Sequence, residues 1–286
     1  GRLAMLDGPL LCFALLTLLC ALRCRRDLRW GWGVGLGLSL LALTGGLSVW
    51  AIGAIAVLFW LWDTPRLLRS GYVALGLLLG GLPAIAWLAV LGWHARGDFG
   101  SLWQQMVVAG ALTTSLDDVG GAMVASLPWL PFCLWGLASA RNHHSWGWAK
   151  LVWVWSGFYL AIVLPLSFFI AISPMPLYPA LALAGGAALA EARSFPSYRP
   201  YPRFWSLALM GMAMGVMGLC LFLGWGRAAE AGLIRLFACI ALTLSVVAVL
   251  VQRQDRQFVI MLFWGLYLSL LLGVSSPYWI WNLGLM

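Results

Sequence analysis

Apolar residues occur along the chain in ten runs, which are separated by short polar, glycine-rich or proline-rich stretches. A helix of about 20 apolar residues crosses the roughly 30 Å hydrocarbon core of a bilayer. The pattern therefore predicts an all-α, polytopic membrane protein with about ten transmembrane or half-membrane helices. The runs are 8–22, 30–44, 47–62, 71–93, 122–139, 151–172, 177–190, 204–226, 233–251 and 258–273.

Two adjacent glycines, Gly45 and Gly46, lie near the middle of a 33-residue stretch, Trp30 to Trp62, that carries no charge. One helix of that length would be roughly 50 Å long, and fitting it would need more than the roughly 0–40° tilt seen in membranes. We therefore expect a tight turn at the glycines, which tolerate unusual dihedrals. This hairpin would place both arginine-rich flanks, 23–29 and 63–69, on one side, with the turn recessed below the opposite surface.

Basic residues support this topology when residue 1 is placed outside and the segments alternate. Of 17 Lys and Arg, 13 then fall inside and four outside, whereas the nine acidic residues divide into four and five. A bias in basic residues alone follows the positive-inside rule. Both chain ends are predicted outside. The inner set is Arg23, Arg25, Arg26, Arg29, Arg66, Arg69, Arg141, Lys150, Arg193, Arg199, Arg203, Arg253 and Arg256.

Composition points the same way, since 63% of residues are apolar, 9% are charged and the mean hydropathy is +0.94. A soluble domain carries charge on about a quarter of its residues. The net charge of +8 lies in short clusters between apolar runs, which favours a lipid bilayer as partner and excludes a nucleic-acid partner. The chain starts with Gly inside an apolar pattern, so we expect a fragment that lacks upstream helices.

Tryptophan, glycine and cysteine have simple structural interpretations. Tryptophans such as Trp30, Trp60 and Trp62 fall at predicted inner boundaries, where they would form an interfacial belt. Glycines four residues apart, Gly76/Gly80 and Gly211/Gly215, predict close helix packing. The six cysteines lie in or beside apolar runs without metal-ligand spacing, so we predict small buried residues and no metal site.

Five stretches occur in a family-like order: "GRLAMLDGPL", "GLSLLALTGGLSVWAIGAIAVLF", "RGDFGSLWQQ", "LPWLPFCLWGL" and "MPLYPALALAGGAALAEA". Together they resemble the dolichyl-phosphate-mannose:protein mannosyltransferase family, in its bacterial branch related to the lipid A aminoarabinose transferase. The resemblance divides the chain into a glycosyltransferase-like membrane core, 1–195, and additional C-terminal transmembrane helices, 196–286. It implies a C-type glycosyltransferase fold in the bacterial inner membrane.

The same resemblance implies an activity and a set of site residues. The sugar donor would be a polyprenyl-phosphate sugar, the acceptor a lipid, protein or glycan on the outer face, and a divalent cation can assist in this family. Asp7, in "RLAMLD", matches a family carboxylate at a helix start and is the candidate catalytic residue. Arg96 and Asp98, in the outer loop 94–121, and Tyr178 are candidate substrate-binding residues.

The chain departs from the family at three basic positions. It has Thr44-Gly45-Gly46 where the family has Thr-Lys-Gly, and "SPMPLY" (173–178) where the family has Lys-Leu-Pro-x-Tyr. It has "AGALTT" (109–114) where the family places a basic residue or histidine. Each of these cations would hold a phosphate, and the family's main catalytic Asp lies upstream of this chain. We therefore expect weak or no transfer by residues 1–286 alone.

Plain structural roles remain open for every candidate. Asp7 can be a helix cap, Arg96 and Asp98 a solvated pair, Tyr178 an interfacial anchor, and His143 with His144 a solvated turn. Two other function classes also remain: a lipid or sugar transporter or flippase, and a non-catalytic membrane scaffold. Transporters usually keep ionisable residues within their helices, whereas acidic residues here gather at the predicted outer mouth, which favours the transferase.

Overall fold

The computed structural model describes residues 7–45, 47–94, 127–167, 175–193, 200–225 and 231–275. Within these ranges the chain is helical and contains no strand, which confirms the all-α prediction. The helices are α1 Asp7–Arg23, α2 Gly31–Gly45, α3 Ser48–Asp63, α4 Gly71–His94, α5 Leu130–Asn142, α6 Gly147–Leu166, α7 Leu177–Arg193, α8 Arg203–Trp225, α9 Ala231–Gln252 and α10 Phe258–Val274.

Four helices in the described ranges are long and apolar enough to cross a membrane. They are Gly71–Trp93 in α4, Gly147–Leu166, Arg203–Phe222 in α8 and Ile234–Gln252 in α9. Shorter apolar helices accompany them, among them Gly8–Arg23, Ser48–Asp63 and Phe258–Val274. The chain is a multi-pass helical membrane protein, and the number of full spans stays a prediction.

The chain forms two compact units. Unit 1 contains 1–122 and 137–184, and unit 2 contains 123–136 and 185–286. These units reflect packing, whereas the predicted division at residue 195 rests on resemblance and stays a prediction.

The break at the double glycine is confirmed, because α2 ends at Gly45 and α3 begins at Ser48. The two helices have 15 and 16 residues, or roughly 22 and 24 Å at about 1.5 Å per residue. Both lengths fall short of the roughly 30 Å hydrocarbon core. Neither helix of the hairpin is therefore long enough to cross the full hydrocarbon core.

From Gly31 to Gly37, helix α2 carries a glycine at every second position. Successive glycines of this set face two neighbouring helices in turn. A Cβ on Gly35 would lie 2.5 Å from the Leu77 carbonyl oxygen of α4. On the opposite face, a Cβ on Gly33 would lie 2.8 Å from Sγ of Cys20 in α1. Steps of four residues stay on one helical face, whereas steps of two change face. The central position of α2 therefore follows directly from its glycine pattern.

The predicted packing role of Gly76 and Gly80 is confirmed in α4. A Cβ on Gly76 would lie 2.8 Å from the Trp32 backbone nitrogen, and one on Gly80 would overlap the Trp32 carbonyl and the Leu36 nitrogen. Small residues let helix backbones approach this closely, which is a main source of helix association in membranes. Gly76 and Gly80 thus form the α4 side of the α2–α4 contact.

Helix α4 continues through Pro83, and its neighbour α2 stabilises the interruption. A proline inside a helix disturbs the backbone hydrogen bonds around it. The next amide, Ala84 N–H, donates to the buried Ser39 hydroxyl of α2 at 2.8 Å. A side chain of the neighbouring helix thereby satisfies a backbone donor that bilayer hydrocarbon could not satisfy.

The core of unit 2 is aromatic. The Phe132 ring centroid lies 4.9 Å from that of Trp205, and Tyr201 lies 5.3 Å from Phe258. The Tyr201 amide donates to the Gln254 side-chain oxygen at 2.5 Å. Gln254 has a φ of 61°, the left-handed region that non-glycine residues seldom adopt. A strained residue thus joins the start of α8 to the turn after α9.

The prediction that Gly211 and Gly215 mediate helix packing is wrong. A Cβ on either glycine would meet nothing within 4 Å, and both residues are exposed on α8. The close glycine contact in this unit involves Gly265 of α10, where a Cβ would overlap the Thr243 side chain of α9. Glycine spacing alone could not distinguish a packed face from one that faces lipid.

Candidate functional site

A buried ion cluster joins three segments at one end of unit 1. Asp63 is the last residue of α3, and its side chain is 1% exposed. Lys150, in the first turn of α6, donates from Nζ to Oδ1 at 2.8 Å. Arg25, in the turn after α1, places Nε 2.5 Å from Oδ2, an ion pair without aligned hydrogen-bond geometry. All three residues were predicted on the same, inner side, and they share one end.

Local packing explains how this cluster forms. Gly147 leaves room for the Arg25 guanidinium, because a Cβ there would overlap Nη1. The Trp60 indole donates to the Ala21 carbonyl at 3.1 Å, which caps the last turn of α1 and fixes it against α3. Trp60 is buried and therefore not a member of the predicted interfacial belt. The charged turn after α1 is held beside Asp63 by these contacts.

Unit 1 also carries two of the predicted site residues. Asp7 is the first described residue of α1, roughly 24 Å along the helix from Arg23. Tyr178 lies in the first turn of α7, half-buried, and its amide donates to the Met175 carbonyl at 3.1 Å. Leu177 and Ala180, at the start of α7, pack in the same core cluster of unit 1 as Val163 and Leu166 near the end of α6.

The last part of the proline-rich segment 173–179 is helical. Helix α7 begins at Leu177, so Tyr178 and Pro179 are both helical. Proline is tolerated in the first turn of a helix, where its missing N–H would have no intrahelical partner. Tyr178 is thereby fixed on a helix rather than on a loop.

Arg96 and Asp98, with most of the outer loop 94–121, lie outside the described residues. The predicted solvated turn at His143 and His144 is confirmed, because both side chains are exposed. Described residues contain no group of three or more His, Cys, Asp or Glu that could hold a metal ion.

Helix α6 carries a row of buried polar side chains that was not predicted from the sequence. Trp155 Nε1, Ser156 Oγ and the Tyr159 hydroxyl are buried and have no hydrogen-bond partner in the described part of the chain. Tyr159 also starts a π-helical turn, Tyr159–Val163, and such turns are frequent at functional sites. A buried unpaired polar group costs about 1–3 kcal/mol. The row is therefore an expensive feature, recognisable in the sequence only as "WSGFY" within an apolar run.

The arrangement in unit 1 is thus polar at both ends and along α6. The ion cluster lies at one end, Asp7 lies at the far end of the described part of α1, and Tyr159 is roughly 14 Å along α6 from Lys150. Comparisons with protein-family models, curated proteins and solved structures gave no match to this chain.

Proposed function

We propose that the chain is the membrane core of a glycosyltransferase, which moves a sugar from a polyprenyl-phosphate carrier to a lipid, protein or glycan acceptor on the outer face. What supports the proposal is that Asp7, in the first described turn of α1, and Tyr178, in the first turn of α7, both belong to unit 1. A helix N-terminus favours negative charge by about 0.3–1 kcal/mol, which suits a carboxylate or a phosphate.

The short α2–α3 hairpin supports the same proposal. Its helices are roughly 6–8 Å shorter than the hydrocarbon core. A recessed turn leaves room for a polar sugar phosphate beside buried backbone, and backbone at that depth must contact protein or line a wet cavity. The unpaired Trp155, Ser156 and Tyr159 groups of α6 are further polar groups that a hydroxyl-rich substrate or bound water would satisfy.

In the proposed reaction, the bond between the sugar anomeric carbon and the carrier phosphate breaks, and a bond to the acceptor oxygen forms. The acceptor proton leaves to a base, and polyprenyl phosphate departs as the leaving group. Asp7 shapes the acceptor or donor site. Two negative charges repel at short range, so a carboxylate beside the phosphate requires a cation between them. The described residues present no carboxylate cluster for a metal ion, and the proposal assigns no step to one.

The test measures transfer of a radiolabelled sugar from polyprenyl phosphate in membranes that contain residues 1–286 together with any segment encoded upstream of them, since residues 1–286 alone are expected to transfer weakly. Asp7→Asn should lower transfer at least about tenfold, equivalent to roughly 1.4 kcal/mol in the barrier. Asp27→Asn, an exposed carboxylate at the opposite end of unit 1, is the matched control and should keep full transfer. Full transfer by a well-folded Asp7→Asn protein would leave Asp7 as a helix cap.

A vesicle assay separates this proposal from the transporter alternative. Labelled polyprenyl-phosphate sugar is placed in one leaflet, and its appearance in the other leaflet is measured together with transfer to acceptor. Movement between leaflets without transfer would replace the glycosyltransferase proposal with a flippase. A transferase should place labelled sugar on the acceptor. The rate of exchange between leaflets should then be the same with and without the protein.

A further inference from the structure

An open apolar groove of about 590 Å³ runs between α3 and α6 of unit 1. Its lining includes Leu58 and Trp62 from α3 and Trp153, Gly157, Phe158 and Ile162 from α6. At Gly157 a Cβ would meet nothing within 4 Å, so the absence of a side chain there widens the groove. The groove is therefore accessible from the lipid side and shaped by a glycine.

The length of the groove matches one leaflet of a bilayer. Trp153 and Ile162 are nine residues apart on α6, or roughly 14 Å along the helix at about 1.5 Å per residue. Half of the hydrocarbon core is about 15 Å. A single lipid chain that starts at one membrane surface would occupy the groove over its whole length.

The ion cluster lies at one end of this groove. Trp62 directly precedes Asp63, and Trp153 is one helical turn from Lys150. Two cations face one carboxylate, so Arg25, Lys150 and Asp63 together carry a net charge of +1. Lysine has three donors and arginine five, which exceeds what one carboxylate can accept. Arg66 and Arg69 are exposed nearby in the chain and add further positive charge.

We propose that this groove binds one acyl chain of an anionic glycerophospholipid, with the lipid phosphate at Lys150 and Arg25. Charge complementarity selects this occupant, because basic pockets beside membrane helices attract anionic headgroups. The apolar lining holds the chain, and the partly exposed guanidinium and ammonium groups hold the phosphate. The site is independent of the proposed glycosyl transfer, since the ion cluster lies at the end of unit 1 away from Asp7.

The experiment uses nanodiscs that contain the full chain and a phosphatidylglycerol with a photoreactive diazirine in its acyl chain. Crosslinks to peptides that cover 58–62 and 153–162 are counted by mass spectrometry. The same probe built on zwitterionic phosphatidylcholine is the lipid control. Phosphatidylglycerol should label the groove at least about fivefold more than phosphatidylcholine.

Gly157→Leu places a side chain in the groove, where its Cβ meets no neighbouring atom within 4 Å, and should reduce phosphatidylglycerol labelling to the phosphatidylcholine level. Gly211→Leu is the matched control, because Gly211 is an exposed helical glycine with the same open space and no part in the groove. Equal labelling by the two lipids in the unmodified protein would overturn the proposal. Undiminished labelling in Gly157→Leu would overturn the proposal as well. The finding that a partner protein covers this face would also overturn it.

Lys150→Gln tests the headgroup separately. Arg25 still neutralises Asp63, so the buried carboxylate keeps a cationic partner. The preference for phosphatidylglycerol over phosphatidylcholine should fall below about twofold. A preference that stays at its original value would show that the phosphate does not bind at Lys150 and would refute the headgroup part of the proposal.

Discussion

Arg25 Nε lies 2.5 Å from Asp63 Oδ2, although these residues flank an uncharged stretch of 33 residues. A continuous helix from Trp30 to Trp62 would hold its ends roughly 50 Å apart. The ion pair therefore requires the chain to reverse between α2 and α3. It confirms that both flanks of the stretch lie on one side, whichever side of the membrane that is.

The first prediction concerns that side. A single cysteine at position 27, where Asp27 is exposed, should react with an impermeant maleimide only after permeabilisation of the membrane. A cysteine at position 46 should react in intact cells, because the double glycine is predicted at the outer turn. Asp63 is unsuitable for this labelling because it is buried.

The native cysteine nearest to position 27 does not interfere with that experiment. Cys24 is buried, and burial, with a contribution from the Asp27 carboxylate, raises the pKa of its thiol. The thiolate is the reactive form, so Cys24 should stay unlabelled at neutral pH. Reaction of position 46 from the cytoplasmic side alone would invert the proposed topology.

The second prediction concerns the stability of the ion cluster. Asp63→Ala removes the buried anion and leaves Arg25 and Lys150 together, so the free energy of unfolding should fall, by less than the about 3–5 kcal/mol of a fully buried pair because both cations are partly exposed. Lys150→Met should cost less, since Arg25 still neutralises Asp63. Thermal unfolding of the purified variants in one detergent measures the order. A larger loss for Lys150→Met would contradict the central role of Asp63.

The third prediction concerns the contact between α2 and α4. Gly35→Ala places a methyl group 2.5 Å from the Leu77 carbonyl oxygen, and overpacking of this kind costs about 1–3 kcal/mol. Gly211→Ala has open space and should be neutral or stabilising, by up to about 1 kcal/mol from helix propensity. Unfolding midpoints give the comparison, and equal midpoints for both variants would exclude tight packing at Gly35.

The fourth prediction concerns the strained Gln254. Gln254→Ala keeps a Cβ at positive φ and loses the bond to the Tyr201 amide, so it should destabilise unit 2 by about 1–2 kcal/mol. Gln254→Gly loses the same bond but relieves the backbone, and its unfolding midpoint should lie close to that of the unmodified protein. A glycine variant less stable than the alanine variant would contradict this account.

Helix positions followed well from the sequence because bilayer thickness limits what an apolar run can do. Two features were predictable from the sequence: the break at Gly45 and Gly46, and the close helix packing of Gly76 and Gly80, which lie against α2. Helix α6, predicted from residue 151, begins instead at Gly147, which leaves room for the Arg25 guanidinium. That contact is between residues far apart in sequence, and no local pattern encodes it.

Partners of single side chains could not be predicted for the same reason. Trp60 and Trp62 have the same sequence context, yet Trp60 is buried against Ala21 whereas Trp62 is exposed. Of the candidate site, the sequence indicated a helix that contains Asp7. The alternating glycines of α2 indicate a helix packed between two neighbours. This packing was not predicted from the sequence, although the pattern was present.

The glycines of α2 and α4 also raise a question of register. Gly31, Gly35 and Ser39 face Gly76, Gly80 and Ala84 at a constant offset of 45 residues, in parallel. Because the small residues repeat every four positions, sliding α4 by one turn would match glycine with glycine again. Among the described contacts, the hydrogen bond from the Ala84 amide to Ser39 belongs to the observed alignment and would be lost in the shifted one. Pro83 thereby helps to select one helix register among several that fit equally well by shape.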